Sequence, residues 1–304
     1  MFDGIDELVL PVADAGPLTR LYRDLLGFTE LADDTDPDPR LQELWGLPLP
    51  PARSVLLGKP RSAGGWIRLV EVPGLPPATP AGRPDRVGPY ALDFYLRDAD
   101  AVEDRVEAGG GRFRTPAVHY PLPGTDLPVR ERMLVQPESG LLHAFVQYRP
   151  RGTRCVIDHD PAEDTSEVVA AVFLTDDLDG ATAFARDVLG GQQYFTGRFD
   201  GPGVEQMLDL GPGEGFEAAL FRGPRSRNAR LEFAAAMPGG TRPPDPVPRV
   251  VAVCDVPDLD RLRSLVQDRP GHGELTSELV LDGVRHLGLA SAYGARLVFR
   301  ERDR

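Results

Sequence analysis

Glu7-Leu-Val-Leu-Pro-Val-Ala-Asp14, with the helical stretch after it ending Arg23-Asp24-Leu25-Leu26-Gly27, returns 163 residues later. The second copy reads Ala170-Ala-Val-Phe-Leu-Thr-Asp-Asp177 and ends Arg186-Asp187-Val188-Leu189-Gly190. Pro60-Arg61-Ser62 and Pro224-Arg225-Ser226 match at an offset of 164. Two anchors at nearly one offset indicate an internal duplication. Each half also repeats weakly within itself. Tyr90-Ala-Leu-Asp-Phe-Tyr-Leu-Arg-Asp98 and Arg249-Val-Val-Ala-Val-Cys-Asp-Val-Pro-Asp258 are again apolar runs that reach an aspartate before a helical pattern.

The physics of one unit is readable. The opening run predicts a strand. Asp14, Asp98, Asp177 and Asp258 stand where a helix needs an N-cap acceptor. Leu18, Leu21, Tyr22 and Leu25 share one helical face, and Gly27 and Gly190 stand where a left-handed C-cap stops the helix. Short strands follow at Ser54–Leu57, Trp66–Val72, Arg112–Val118, Arg132–Val135 and Leu141–Gln147. The expected fold is α+β: four tandem βαβββ units forming two halves with concave mixed sheets. The expected division is a domain over 1–148, a linker over 149–165, where periodicity is lost, and a second domain over 166–304. Residues 73–88 and 236–248, rich in Pro and Gly, read as joins within the halves.

The chain has 304 residues, 34 Lys+Arg against 47 Asp+Glu, and a formal net charge of −13, which argues against nucleic acid or an anionic membrane as partner. The 33 Gly and 31 Pro supply the turns that many short strands need. Two cysteines cannot build a disulfide framework. With no apolar run of membrane-spanning length and no signal peptide ahead of the first strand, the expectation is a cytoplasmic protein.

Val12-Ala13-Asp14 before a helix ending in Tyr22-Arg-Asp-Leu-Leu-Gly-Phe28 resembles the vicinal oxygen chelate superfamily, which includes glyoxalase I, bleomycin-resistance proteins and extradiol dioxygenases. Pro137-Glu-Ser-Gly140, followed by Leu141–Gln147, is similar to its closing turn and last strand. The resemblance extends over nearly the whole chain and implies glyoxalase-like halves. It also implies a divalent metal held by His and Glu or Gln, one ligand position lying on each opening strand and one on a late strand. Carried onto this sequence, the opening positions are Glu7, Ala91, Ala170 and Val251. The late ones are Ala144, Val298, Arg68, and either Arg230 or Glu232. Alanine and valine cannot ligate, and an arginine repels a cation. The five histidines (His119, His143, His159, His272 and His286) lie off these positions. The expectation is therefore no family-type metal and no cofactor.

Glu7, expected on an apolar concave wall, would have a raised pKa and act as general acid or base. Arg68 would stabilise an oxyanion, or pair with Glu7. Asp93 and Tyr95 share the concave face by alternation. His119 and Tyr120 lie in a Pro-rich segment at the cavity mouth, and Trp66 supplies an aromatic wall. The leading expectation is a metal-independent enzyme acting on a small organic molecule by proton transfer, of isomerase, cyclase or lyase type, in secondary metabolism, monomeric or homodimeric. The alternatives are a non-catalytic binding protein, similar to the drug-sequestering resistance members, and a metal-dependent dioxygenase or glyoxalase.

Overall fold

Three of the four aspartates cap helices as the repeat predicts. Asp98 accepts from the Ala101 amide at 3.1 Å, Asp177 from Gly180 at 2.8 Å and Asp258 from Arg261 at 2.8 Å. Asp14 departs from the pattern. Its carboxylate accepts from Gly16 N–H at 2.8 Å, closing a turn two residues long, and the helix begins beyond it with Pro17 in its first turn. Gly27 and Gly190 hold the left-handed C-terminal conformation, at φ 68° and 73°. The first helix of each half also widens into a π-helical turn, at Leu21–Leu25 and again at Phe184–Val188.

The structure is a computed structural model that describes residues 2–149, 155–223, 229–235, 244–245 and 247–302. Pro224–Ser226 and most of the 236–248 join lie outside the described residues. The first unit comprises β1 (Glu7–Val12), α1 (Gly16–Arg20), β2 (Thr29–Asp34), α2 (Leu41–Trp45), β3 (Arg53–Gly58) and β4 (Trp66–Glu71). The second comprises β5 (Gly88–Leu96), α3 (Ala99–Ala108), β6 (Arg112–Phe113), β7 (Val118–Pro121), β8 (Pro128–Val135) and β9 (Leu142–Gln147). After α4 (Val156–His159), the third comprises β10 (Thr165–Thr175), α5 (Leu178–Ala183), β11 (Gln192–Asp200), α6 (Pro202–Leu208), β12 (Gly215–Arg222) and β13 (Arg230–Ala235). The fourth comprises β14 (Val251–Val256), α7 (Leu259–Gln267), β15 (Gly273–Leu281), β16 (Val284–Ser291) and β17 (Arg296–Glu301).

The units pair across the halves. The first sheet runs β15-β16-β17-β14-β1-β4-β3-β2 and joins unit four to unit one through antiparallel β14 and β1. The second runs β11-β12-β13-β10-β5-β9-β8-β6, with β7 on β8, and joins unit three to unit two through antiparallel β10 and β5. Each sequence half thus gives one unit to each sheet. Within the stretch read as a linker, α4 packs Val156 and Ile157 against Val169 and Tyr148. One turn of helix is too short to show a 3.6-residue period.

The helix-covered faces of both sheets merge in one core. Tyr22 and Phe28 of unit one meet Phe94 of β5, with ring centroids at 6.4 and 6.3 Å. The two concave faces differ. On the first sheet Val9, Val70, Val251, Val253 and Val298 are covered by Leu44 and Trp45 of α2. Gly46, at φ 66°, ends that helix. Burying side chains of this size contributes about 1.5–3 kcal/mol each, so α2 holds the face closed over its centre. On the second sheet the equivalent helix, α6, packs Val204, Met207 and Leu208 over Ala91, Ala144, Val172, Ala218 and Ala234, and a larger cavity remains beside it.

Candidate functional site

At one end of the first sheet's concave face, Glu7 is 3 % exposed and holds Arg68 in a two-point ion pair, at 2.6 Å from Nε and 3.1 Å from Nη2. Arg68 also donates to Ser54 at 2.9 Å, and Arg300 Nη1 stands 3.6 Å from Glu7. The expectation of a raised Glu7 pKa is corrected here. Burial pushes the carboxyl up, but Arg68 beside it, with Arg300 and Arg302, outweighs burial and holds it below the ordinary value. Trp66 lies on the same sheet, its indole N–H donating to Ser62 Oγ at 2.9 Å. A small cavity of ≈ 320 Å³ beside the pair is lined by Arg300, Arg302, His286 and Trp45.

The larger cavity, ≈ 490 Å³, lies on the second sheet. Alternation along each strand sets its lining. From β5 come Ala91, Asp93 and Tyr95; from β8, Glu131 and Met133; from β13, Arg230, Glu232 and Ala234. Tyr120 enters from β7, Tyr194, Phe195 and Phe199 from β11, and Phe216 and Leu220 from β12. Of the residues expected at the site, the structure therefore brings Asp93, Tyr95 and Tyr120 together. It leaves Glu7, Arg68 and Trp66 on the other sheet. His119 is exposed, pointing away from the cavity that its neighbour Tyr120 lines. His143 is buried on the helix-covered face, 2.6 Å from the Tyr22 hydroxyl.

Three further groups line the cavity: Glu131, not among the candidates on the sequence, and Glu232 and Arg230, which enter there only as alternatives for one late-strand ligand position. Glu131 is 7 % exposed and accepts a hydrogen bond from the Tyr120 hydroxyl. Burial pushes its carboxyl up to about 7, against the pull of Tyr120. Glu232 is 8 % exposed, and no described residue donates a hydrogen bond to its carboxyl or to that of Asp93. Burial raises both well above the carboxylate range. Asp93 is pushed further by Glu232 and Glu131, and Glu232 by Glu131, while Arg230 pulls both down. The Arg230 guanidinium donates to Tyr95 Oη at 2.8 Å and to the Val169 carbonyl at 2.9 Å, and faces the Tyr95 and Tyr194 rings at 5.5 and 5.7 Å. Alternation along Arg230-Leu-Glu232-Phe-Ala234 places Arg230 and Glu232 on one face. Glu131 needed the register of β8, where Arg130 and Arg132 face away and pair with Glu103.

A family-type metal does not fit these residues. Ala91, Ala144 and Ala170 offer no donor atom, Arg230 occupies the same wall, and among the described residues no group of three or more His, Cys, Asp and Glu is arranged to hold a metal ion. What the arrangement offers is acid–base chemistry. Carboxyls that titrate near neutrality stand beside a fixed cation in a mostly apolar cavity.

No family model matches the chain, and no curated protein sequence does. Solved structures do. Glyoxalase I from Zea mays superposes with a TM-score of 0.65 at 12 % identity, covering 98 % of this chain and 92 % of that one. A mutant of the same enzyme gives 0.66 at 13 %, with the same coverage. A provisionally assigned dioxygenase from Bacillus subtilis gives 0.60 at 13 %, covering 99 % of this chain and 85 % of that one. At this identity the likeness speaks to fold, and it spans both sheets and all four units. The chain has the fold of the vicinal oxygen chelate superfamily.

Proposed function

We propose that the protein is a metal-independent enzyme that moves a proton on a small organic molecule held in the second-sheet cavity. The observation that carries this reading is the buried Glu131–Tyr120 pair facing Glu232 and Asp93 across that cavity. With its carboxyl near 7, Glu131 is available as a base or an acid at neutral pH. Glu232 and Asp93, held protonated more firmly, serve as the complementary acids. Arg230 is the group placed to stabilise negative charge that develops on a substrate oxygen. Proton-transfer reactions of isomerase, cyclase or lyase type need no more than these parts. Glu7 and Arg68, neutralised by each other on the other sheet, are left outside this mechanism.

The test is incubation with pooled small-molecule metabolites in D2O, read by mass spectrometry. One compound should change structure or gain deuterium at carbon, and Glu131→Gln should stop it. Recovery of a tightly held ligand, unchanged and without deuterium, would overturn the enzymatic reading. That outcome would favour sequestration, which the parallel stack of Phe199 on Phe216 (4.9 Å, 7°) independently favours as a wall for a flat molecule. Elemental analysis showing stoichiometric iron, zinc or nickel in active, untagged protein would overturn metal independence. Among the described residues no helix is long and apolar enough to cross a membrane, and a cytoplasmic location is part of the proposal.

A further inference from the structure

Resting on that reading of the cavity as the site, we infer that its ligand carries a protonated amine on a flat apolar skeleton, with the ammonium seated at Glu232 and Asp93.

The argument starts from unmet hydrogen bonding. A buried carboxyl ordinarily takes two or more donors. Glu232 is 8 % exposed, yet among the described residues neither it nor Asp93 receives a donor, and both face the cavity. Their oxygens open on the cavity, so donors come from what fills that space, water or a ligand, and an ammonium brings three. The charges say the same. Asp93, Glu131 and Glu232 gather in one cavity; Arg149, Arg222 and Arg230 also line it, and Arg230 is the one of the three that acts on Asp93 and Glu232. A neutral ligand with hydroxyl donors would meet the hydrogen bonds but leave the acids protonated, whereas an ammonium draws their protons off and pairs with the carboxylates that form. An anionic ligand would reach Arg230 only beside the acids. Arg230 already covers the faces of Tyr95 and Tyr194. The Phe199–Phe216 stack is the aromatic surface left for the skeleton.

Three probes that share one ring system and differ in charge test this: 1-naphthylmethylamine, 1-naphthylmethanol and 1-naphthylacetate, titrated calorimetrically at pH 7.5. The amine should bind at least ~10-fold more tightly than the alcohol, as charge-assisted hydrogen bonds do relative to neutral ones, and the acetate should bind weakest. In Glu232→Gln, and independently in Asp93→Asn, the amine's advantage should shrink several-fold while alcohol binding persists, which reports an intact cavity. Wild-type binding of the amine should also release protons, seen as a heat that differs between phosphate and Tris buffers. Equal affinities, tightest binding of the acetate, or an amine preference undiminished in both variants would overturn the inference. If Glu131-dependent deuterium exchange occurs without any amine preference, the enzymatic reading stands and this inference falls. An amine preference in a protein that converts nothing upholds the inference and removes the enzymatic reading.

Discussion

Removing Arg68 tests whether the first sheet's polar pair holds structure rather than performing chemistry. Arg68→Ala leaves Glu7, 3 % exposed, without its two hydrogen bonds at 2.6 and 3.1 Å. Breaking a buried pair from one side costs about 3–5 kcal/mol. Arg300 remains 3.6 Å away, and the Arg68 side chain is itself 22 % exposed, so water can enter where it stood. Both push the cost to the lower end, about 3 kcal/mol at pH 7, or roughly 5 °C of melting temperature for a chain of this size. The pH dependence has a definite sign. In the wild type the Glu7 carboxyl lies below its ordinary value, so its stabilisation is full above that value and is lost only as pH falls through the lowered one. In Arg68→Ala, burial raises the carboxyl instead, and protonating it relieves the variant. The gap between the two proteins should therefore be widest above pH 6 and narrow toward pH 4. Thermal and urea unfolding at pH 7 and pH 4.5 measure this. The double variant Glu7→Gln, Arg68→Met, which removes both charges and keeps the volume, should lie within about 1 kcal/mol of wild type. A loss below 1 kcal/mol in Arg68→Ala, or a gap that does not close in acid, would refute the structural assignment and return Glu7 to the candidate proton carriers.

Three further outcomes follow from the geometry. Tyr120→Phe should raise the Glu131 carboxyl above its value of about 7, because the lost hydrogen bond was holding it down against burial; carbon-13 NMR of labelled glutamate carboxyls read against pH shows the direction, and a fall would reject the pairing. His143, pushed down to about 4 by burial, is neutral when folded, so its share of stability is full above the unfolded value near 6.5 and is lost as pH drops from there toward 4; His143→Phe should be less acid-sensitive than wild type in melting experiments at pH 7 and 5. Gly65→Ala should cost about 2 kcal/mol or more, read from urea midpoints. Gly65 sits at φ 68°, and an added Cβ would press on the Val168 carbonyl where unit one meets unit three.

The fold was legible because its signals are local. An aspartate three residues ahead of the amide it caps, and a glycine that must take positive φ, leave marks in a single stretch of chain, and a duplication prints them twice. The pairing of units was not legible. Whether β1 joins β5 or β14 is decided by edge complementarity between strands far apart, and either choice buries the same apolar runs. The site was half legible for a related reason. Asp93 and Tyr95 follow from alternation within one strand. Recognising Glu131 and Glu232 as their neighbours requires knowing that unit two faces unit three. The metal-ligand frame also directed attention to Glu7, the surviving carboxylate at an opening position, whose side of the fold is internally neutralised.

The strand register shows how one duplicated scaffold came to carry two unlike concave faces. Arg68 lies opposite Val9, and Glu232 lies opposite Val172, the repeat of Val9, so Glu232 occupies the place of Arg68. Ala170 occupies the place of Glu7. In the paired units, His286 and Arg300 lie opposite each other as Glu131 and Val146 do, and Val253 opposite Val298 as Asp93 opposite Ala144. Read across these positions, the first sheet has one carboxylate, Glu7, surrounded by Arg68, Arg300 and His286. The second has three carboxyls and at none of these positions a cation. Arg230 enters one step along at the place of Trp66, and Arg222 and Arg149 reach the same cavity from outside these positions. Charges that neutralise each other make a wall. Carboxyls stripped of their partners are costly to ionise in a buried place and stay protonated there, until a ligand supplies what the scaffold withdrew. A helix covers both faces, so it is the charges at these positions that make the second face the one to assay.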